Sequence, residues 1–439
     1  MISQETSAGV DRKLGLVGAG ALVAGNIIGA GIFLLPASLA AFGSITLISW
    51  IIGSAGFMGL GLVFAALVRV RPQAENLIAH VREGTGAFFG FQATILYWIS
   101  AILGNVSLAM VGAGYLGVFL SALKTPWNSA LTSVGLLALM TAANLLGPRF
   151  VGRLSGLTVL LGLIPIFVVG VLGWLWFDPT LWARAWNPVH QPVIGAVTGS
   201  LVLVSAGLLG VESAAIGAKV IKDPERNLGP ATVGGTAFAT LVYIAACTVL
   251  FGLLPVKQLA ASGAPFADAI ARTLGPIGGA VLALCALAKS SGALGGWTLV
   301  TAETSESAAD ERMLPKIFAA DGGPSPARKG LYINLALAAV VVIATVSPSA
   351  AKQYTAIVEI AAVANFAIYA LACVALLRFT RSVRDRALAI VALIFCIVVV
   401  AYSGEETLRL TAITLAATTA LFVVMLITKA LGRLRRQPA

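Results

Sequence analysis

The sequence predicts an all-α membrane protein of twelve transmembrane helices, and three observations carry that reading. Of 439 residues, 59% are hydrophobic and 11% charged, where a soluble domain carries about a quarter charged; the mean hydropathy is +0.95. The charges gather in clusters, and the runs between them reach the ~20 apolar residues a helix needs to cross a bilayer. Those runs lack the short alternating pattern of barrel strands, and helices satisfy their backbone hydrogen bonds within the segment.

Taken in order, the predicted spans lie near 14–37, 44–68, 87–120, 127–148, 154–177, 194–218, 231–254, 278–303, 331–348, 353–377, 387–404 and 408–428. The first follows Asp11, Arg12 and Lys13 and has no small-residue cleavage site behind it, so it reads as a retained span and not a signal peptide. The segments are then 1–13, a cytoplasmic N-terminus; 14–177, five spans; 194–377, five more; 387–428, the last two; and 429–439, a basic cytoplasmic tail. Cys247, Cys285, Cys373 and Cys396 each fall in an apolar run without CxxC spacing, which indicates neither disulfides nor zinc. His80 and His190 are placed in loops, Asp178 and Asp268 near the outer side as solvated ends. No metal site and no cofactor are expected.

The net charge of +11 raises nucleic acid as a partner, and the position of the bases answers it. With both termini inside, 22 of the 29 Lys and Arg fall on the cytoplasmic side and six outside, leaving Lys289 within a span. That asymmetry is the positive-inside pattern of a multi-pass protein of a bacterial-type inner membrane, and nucleic acid is not expected. The longest hydrophilic stretches, about 304–330 and 178–193, are too short to bury a core. A membrane sensor or receptor would need a soluble module, so that class is disfavoured. Enzyme chemistry is also not expected, since Ser213 beside Glu212 without a histidine is no nucleophile–base pair.

Two spans carry glycine clusters near their middles: Gly25-Asn26-Ile27-Ile28-Gly29-Ala30-Gly31 in the first and Gly207-Leu208-Leu209-Gly210-Val211-Glu212-Ser213 in the sixth. Such clusters can serve close helix packing. Their equivalent places at the head of successive five-span blocks point instead to discontinuous helices 1 and 6 of an inverted-repeat transporter. Unwound turns expose peptide groups that lipid cannot satisfy, so they must face a protein-lined cavity. Half-helix N-termini favour a carboxylate and bare carbonyls an ammonium group, the two ends of an amino acid.

The run from Gly25 to Pro36 resembles the first-helix motif of the amino acid–polyamine–organocation superfamily. Tyr97-Trp98 with Gly104-Asn105, Asn144 to Pro148, Gly210 to Ser213, Lys222 to Asn227, Ser262 to Phe266 and Leu294 to Thr298 are similar, in order, to the basic amino acid/polyamine antiporters. The arginine/agmatine and lysine/cadaverine exchangers are the nearest in kind. The resemblance implies a five-plus-five inverted repeat followed by two extra helices, a homodimer, and exchange of an amino acid for an amine. It places the substrate carboxylate at Ala30 and Gly31 and the amino group near Ile27, with Tyr97, Asn105, Leu209 and Trp297 around it and Glu212 in proton-linked gating. The other reading of Trp297 is an interfacial belt residue, but a position this deep after Gly295-Gly296 suits a pocket better. Ala206 stands where the relatives have a tryptophan that stacks on a cationic side chain, so the specificity is expected to differ.

Three ionisable residues fall well inside spans: Glu212, Lys289 and Glu359. Mid-bilayer charge is costly and calls for a partner. A Lys289–Glu359 ion pair is one reading. Titration of either residue in a proton-coupled symporter is a second. A fixed positive charge that disfavours cationic substrates is a third.

Overall fold

The computed structural model describes residues 14–74, 76–212, 221–320 and 326–434. It is helical throughout, with one isolated bridge between Leu14 and Ile221 and no strand among the described residues. Each predicted apolar span contains helix. Among the described residues, eight helices are long and apolar enough to cross a membrane, and two apolar ones are shorter, Leu16–Ile27 and Val193–Gly207. Those two are the helices that carry the glycine clusters, and both end early.

In chain order the helices are α1 (Leu16–Ile27), α2 (Leu35–Leu39), α3 (Thr46–Val70), α4 (Leu77–Thr85), α5 (Ala87–Leu116), α6 (Pro126–Leu145), α7 (Pro148–Gly170), α8 (Pro179–Arg184), α9 (Val193–Gly207), α10 (Pro224–Leu253), α11 (Val256–Ala261), α12 (Pro265–Asp310), α13 (Arg328–Ala344), α14 (Ala350–Phe379), α15 (Val383–Ala401) and α16 (Glu405–Leu434). α12 bends at Gly275, whose φ of 84° belongs to the region glycine alone enters freely, just ahead of Pro276. α1 packs on α10, α7 on α12, and α5 lies between α12 and α14. The core between them is continuous and rich in aromatic residues, among them Phe33, Trp50, Phe57, Phe64, Tyr243 and Tyr369.

One sequence expectation needs correction outside the core spans. His80 is not in a loop: it lies in α4, only 1% exposed. Asn76 caps that helix by accepting from Ala79 N–H at 2.9 Å, and both ring nitrogens of His80 face main-chain carbonyls, Asn76 at 2.8 Å and Arg71 at 3.1 Å. A polar N-cap followed by an amphipathic turn is a helix start that a charge-rich stretch disguised. Asp178 is half-exposed, as expected of a solvated end, and caps α8; the bond from the Thr180 hydroxyl holds its carboxyl below the usual range.

The Arg69 guanidinium ties the end of α3 to the start of α15 through both Asp385 oxygens, at 3.0 and 2.9 Å. Thr380 also donates to Asp385. Because Arg69 is 46% exposed at its side chain, the pair is partly screened and contributes on the order of 1 kcal/mol. Asp385→Ala is therefore expected to lower the melting temperature of the purified protein by a few degrees and to leave transport intact. A fall in transport without loss of stability would show that this tie has a functional part.

Candidate functional site

The first interruption is built by the backbone. α1 stops at Ile27, Ile28 takes φ −72°, ψ 68°, and Gly29 N–H bonds back to the Ile27 carbonyl at 2.6 Å. That is an inverse γ-turn. A 3-10 turn, Ala30–Phe33, follows, and α2 resumes the course. The first N–H groups of such a turn have no partner within it, which leaves those of Ala30 and Gly31 at the pocket wall.

The second interruption faces the first. α9 ends at Gly207, and Gly210 has φ 110°. A Cβ on Gly210 would stand 2.9 Å from the Asn26 carbonyl oxygen and 3.4 Å from Ile27 N. The two broken segments thus touch backbone to backbone, a proximity only glycine permits. Residues 213–220, which include Ser213 of the motif, lie outside the described residues.

Tyrosine hydroxyls hold the first break open. Tyr243 of α10 donates to the Ile27 carbonyl at 2.7 Å and Tyr354 of α14 to the Gly31 carbonyl at 3.0 Å. Trp50 stacks on Tyr243 with ring centroids 5.1 Å apart, which fixes the direction of that hydroxyl. Carbonyls freed by unwinding are thereby satisfied in a place where water is scarce.

Between the breaks lies a cavity of about 160 Å³, below the size of drug-binding pockets and suited to a small solute. Its walls include Ile27, Ala30, Gly31, Tyr97, Ala206, Leu209, Glu212 and Trp297, all expected from the sequence. Trp297 is 37% exposed and stands in this wall. Asn105 does not line the cavity: it lies behind Trp297, with its amide nitrogen on the Thr301 hydroxyl at 2.9 Å. Its role here is to tie α5 to α12 at the turn that carries the tryptophan.

Glu212 sits at a junction. It is 7% exposed, and its Oε2 accepts from Gly210 N–H at 3.0 Å and from the Tyr369 hydroxyl at 2.6 Å. No described residue donates to Oε1. Glu212, Tyr97 and Asn365 line both the small cavity and a larger vestibule of about 980 Å³. The vestibule also bears Glu83, Glu303 and Glu311, with Arg82 paired to Glu311, so carboxylates outnumber guanidinium. Away from the vestibule, Phe33 packs against Tyr115 and Phe266 at 5.8 and 5.3 Å, and the Tyr115 hydroxyl bonds the Phe33 carbonyl. These three rings are fully buried.

Sequence reasoning missed the α14 wall. Tyr354, Ala361 and Asn365 line the cavity, and Asn365 bonds Ser100 at 2.5 Å to bridge α14 to α5. Two polar residues eleven apart, about three helical turns and so on one face of an apolar span, were the available signal. Lys289 and Glu359 do not pair with each other or with Glu212. Glu359 accepts from Thr407 of α16 at 3.0 Å, while Lys289 faces α7, where Gly162 leaves room for its stem. Neither lines the central cavity, so the expectation of a fixed positive charge beside the substrate is corrected.

A family model for amino acid permeases matches residues 14–428. The chain belongs to the amino acid permease family. It is 33% identical to the putrescine transporter PotE of Escherichia coli (strain K12) over 365 residues, 83% of each chain. It is 34% identical to the cadaverine/lysine antiporter of the same strain over 377 residues, 84% of each. The putrescine transporter PotE of Haemophilus influenzae is 30% identical over 83% of this chain and 84% of its own. This permease is accordingly a multi-pass membrane transport protein of the amino acid and polyamine type, and the relatives are transporters, not enzymes.

Proposed function

We propose that this permease exchanges an amine for an amino acid by alternating access. The substrate binds between discontinuous helices 1 and 6 of a five-plus-five inverted repeat, residues 14–177 and 194–377. The two further helices, 387–428, complete twelve crossings with both termini cytoplasmic, and the working unit is a homodimer. The observation that carries this reading is the abutment of the two breaks at Gly210 and Asn26, with a solute-sized cavity lined by both.

The donors and acceptors suit a small ion with a positive charge. Glu212 borders both cavity and vestibule, and the vestibule's carboxylates raise the local concentration of cations on that side. Trp297 offers an aromatic face, which compensates in part for the alanine at position 206. Ala30 and Gly31 N–H groups suit the carboxylate when the passenger is an amino acid. Diamines and basic amino acids, the solutes named for the relatives, fit this chemistry. Protons enter through Glu212, whose charge holds the second break.

Purified protein in liposomes tests the proposal. Labelled putrescine is expected to enter vesicles preloaded with lysine, putrescine or cadaverine at least about tenfold faster than empty vesicles. Equal entry into empty vesicles under a pH gradient would replace exchange by symport, and no uptake of any amine or amino acid would remove the reading. Trp297→Ala is expected to raise KM for putrescine severalfold, with kcat less affected, because it removes uniform binding.

A further inference from the structure

A second cavity, of about 630 Å³, lies between the helix pair α1/α10 and the pair α7/α12. Apart from Lys289 its walls are apolar side chains and glycine, and its rim residues Val17, Leu163 and Phe238 are exposed. It runs beside α1, whose 12 residues span about 18 Å. Among the described residues lining it, Lys289 alone is charged.

Lys289 is 9% exposed. Its stem lies against Gly162, where an added Cβ would come within 2.4 Å of Lys289 Cγ. Its ammonium makes no hydrogen bond or ion pair with any described residue. A cation in the hydrocarbon layer without a counter-charge is costly. No described side chain supplies the anion, the walls other than Lys289 are apolar, and the rim lies among exposed apolar residues of membrane-crossing helices. The missing partner therefore carries an anionic head, an apolar chain and comes from the lipid phase.

We propose that this groove binds a long-chain fatty acid, its carboxylate on the Lys289 ammonium and its chain along α1. Lys289 lies well inside the apolar part of α12, level with Gly162 in the middle of α7, deeper than an interfacial phosphate sits. That depth favours a single-chain carboxylate over a phospholipid headgroup. The occupant lies where α1 and α10 meet α7 and α12, and on the exchange reading above it wedges between parts that move past one another. Binding itself does not rest on that reading.

The test measures equilibrium binding of labelled oleate to delipidated, detergent-solubilised protein, with methyl oleate and phosphatidylglycerol as comparisons. Wild type is expected to bind one oleate per chain and to discriminate against methyl oleate. Lys289→Gln is expected to weaken oleate at least tenfold. Gly234→Phe offers an independent variant: a Cβ there meets nothing within 4 Å, so the ring fills the groove with Lys289 intact, and oleate binding is expected to be lost. The proposal is overturned if oleate binds wild type and both variants alike, or if the methyl ester binds as tightly as the acid. Displacement of oleate by an equal concentration of phosphatidylglycerol would also overturn it, in favour of a phospholipid.

Discussion

Glu212→Ala is expected to reduce amine exchange in proteoliposomes to background, at least tenfold and on physical grounds closer to a hundredfold. The carboxylate does two jobs. Its Oε2 holds Gly210 N–H in the second break and the Tyr369 hydroxyl on α14, and hydrogen bonds to an ionised group contribute about 1.5–3 kcal/mol each. On the exchange reading, its negative charge is also what the carboxylate offers to a cationic substrate. Removal deletes the bonds that the carboxylate accepts from Gly210 N–H and the buried Tyr369 hydroxyl, a loss on top of the missing attraction. Since each 1.4 kcal/mol is about a tenfold change, either function alone accounts for a tenfold fall.

Three variants separate the two jobs. Glu212→Gln retains an oxygen that can accept from both donors but carries no charge. It is expected to leave the melting temperature within a few degrees of wild type while raising KM for putrescine at least tenfold. Tyr369→Phe keeps the ring packed on Phe57, Phe64 and Phe366 and deletes a single bond to the carboxylate. It is expected to slow turnover severalfold with little change in KM. If Glu212→Gln exchanges amines with wild-type KM, the carboxylate is not the counter-charge of the substrate, and its role reduces to holding the break.

The fold was legible because burial in lipid writes itself in one dimension: apolar runs between charges become helices, and each predicted run contains one. The break in the first span was legible only in part. The glycine cluster marked the region, yet Gly25 and Asn26 are still helical, and the chain turns at Ile28, in a γ-turn that any residue can adopt. The partners of the buried charges were not legible at all. A charge inside a span demands some compensation, but which helix faces it depends on rotations that accumulate over many turns. Glu359 thus meets Thr407 of the last helix and Lys289 meets a glycine. Asn365 was missed for a related reason: one amide in a long apolar helix gains meaning only when Ser100 stands across from it.

The sharpest mechanical prediction concerns the meeting of the breaks. Gly210→Ala adds a single methyl group at a φ of 110°, where a non-glycine residue costs about 1–3 kcal/mol in backbone strain. The methyl would also lie 2.9 Å from the Asn26 carbonyl oxygen and 3.1 Å from its carbon. Those are main-chain atoms fixed by α1, so they cannot rotate aside as a side chain end would. The two segments must separate, and the cavity that both line changes shape. The variant is expected to show a lower melting temperature and at least a tenfold loss of exchange. Gly25→Ala is the matching control in the same motif. Gly25 is inside α1 with nothing within 4 Å of an added Cβ, and glycine in a helix interior is less favourable than alanine by up to about 1 kcal/mol. That change is expected to preserve exchange and to hold or slightly raise the melting temperature. Were Gly210→Ala to exchange at the wild-type rate, close apposition of the two breaks would not be needed for transport. Were both alanines to abolish it with stability intact, the clusters would serve a motion of α1 and not the contact seen between the segments.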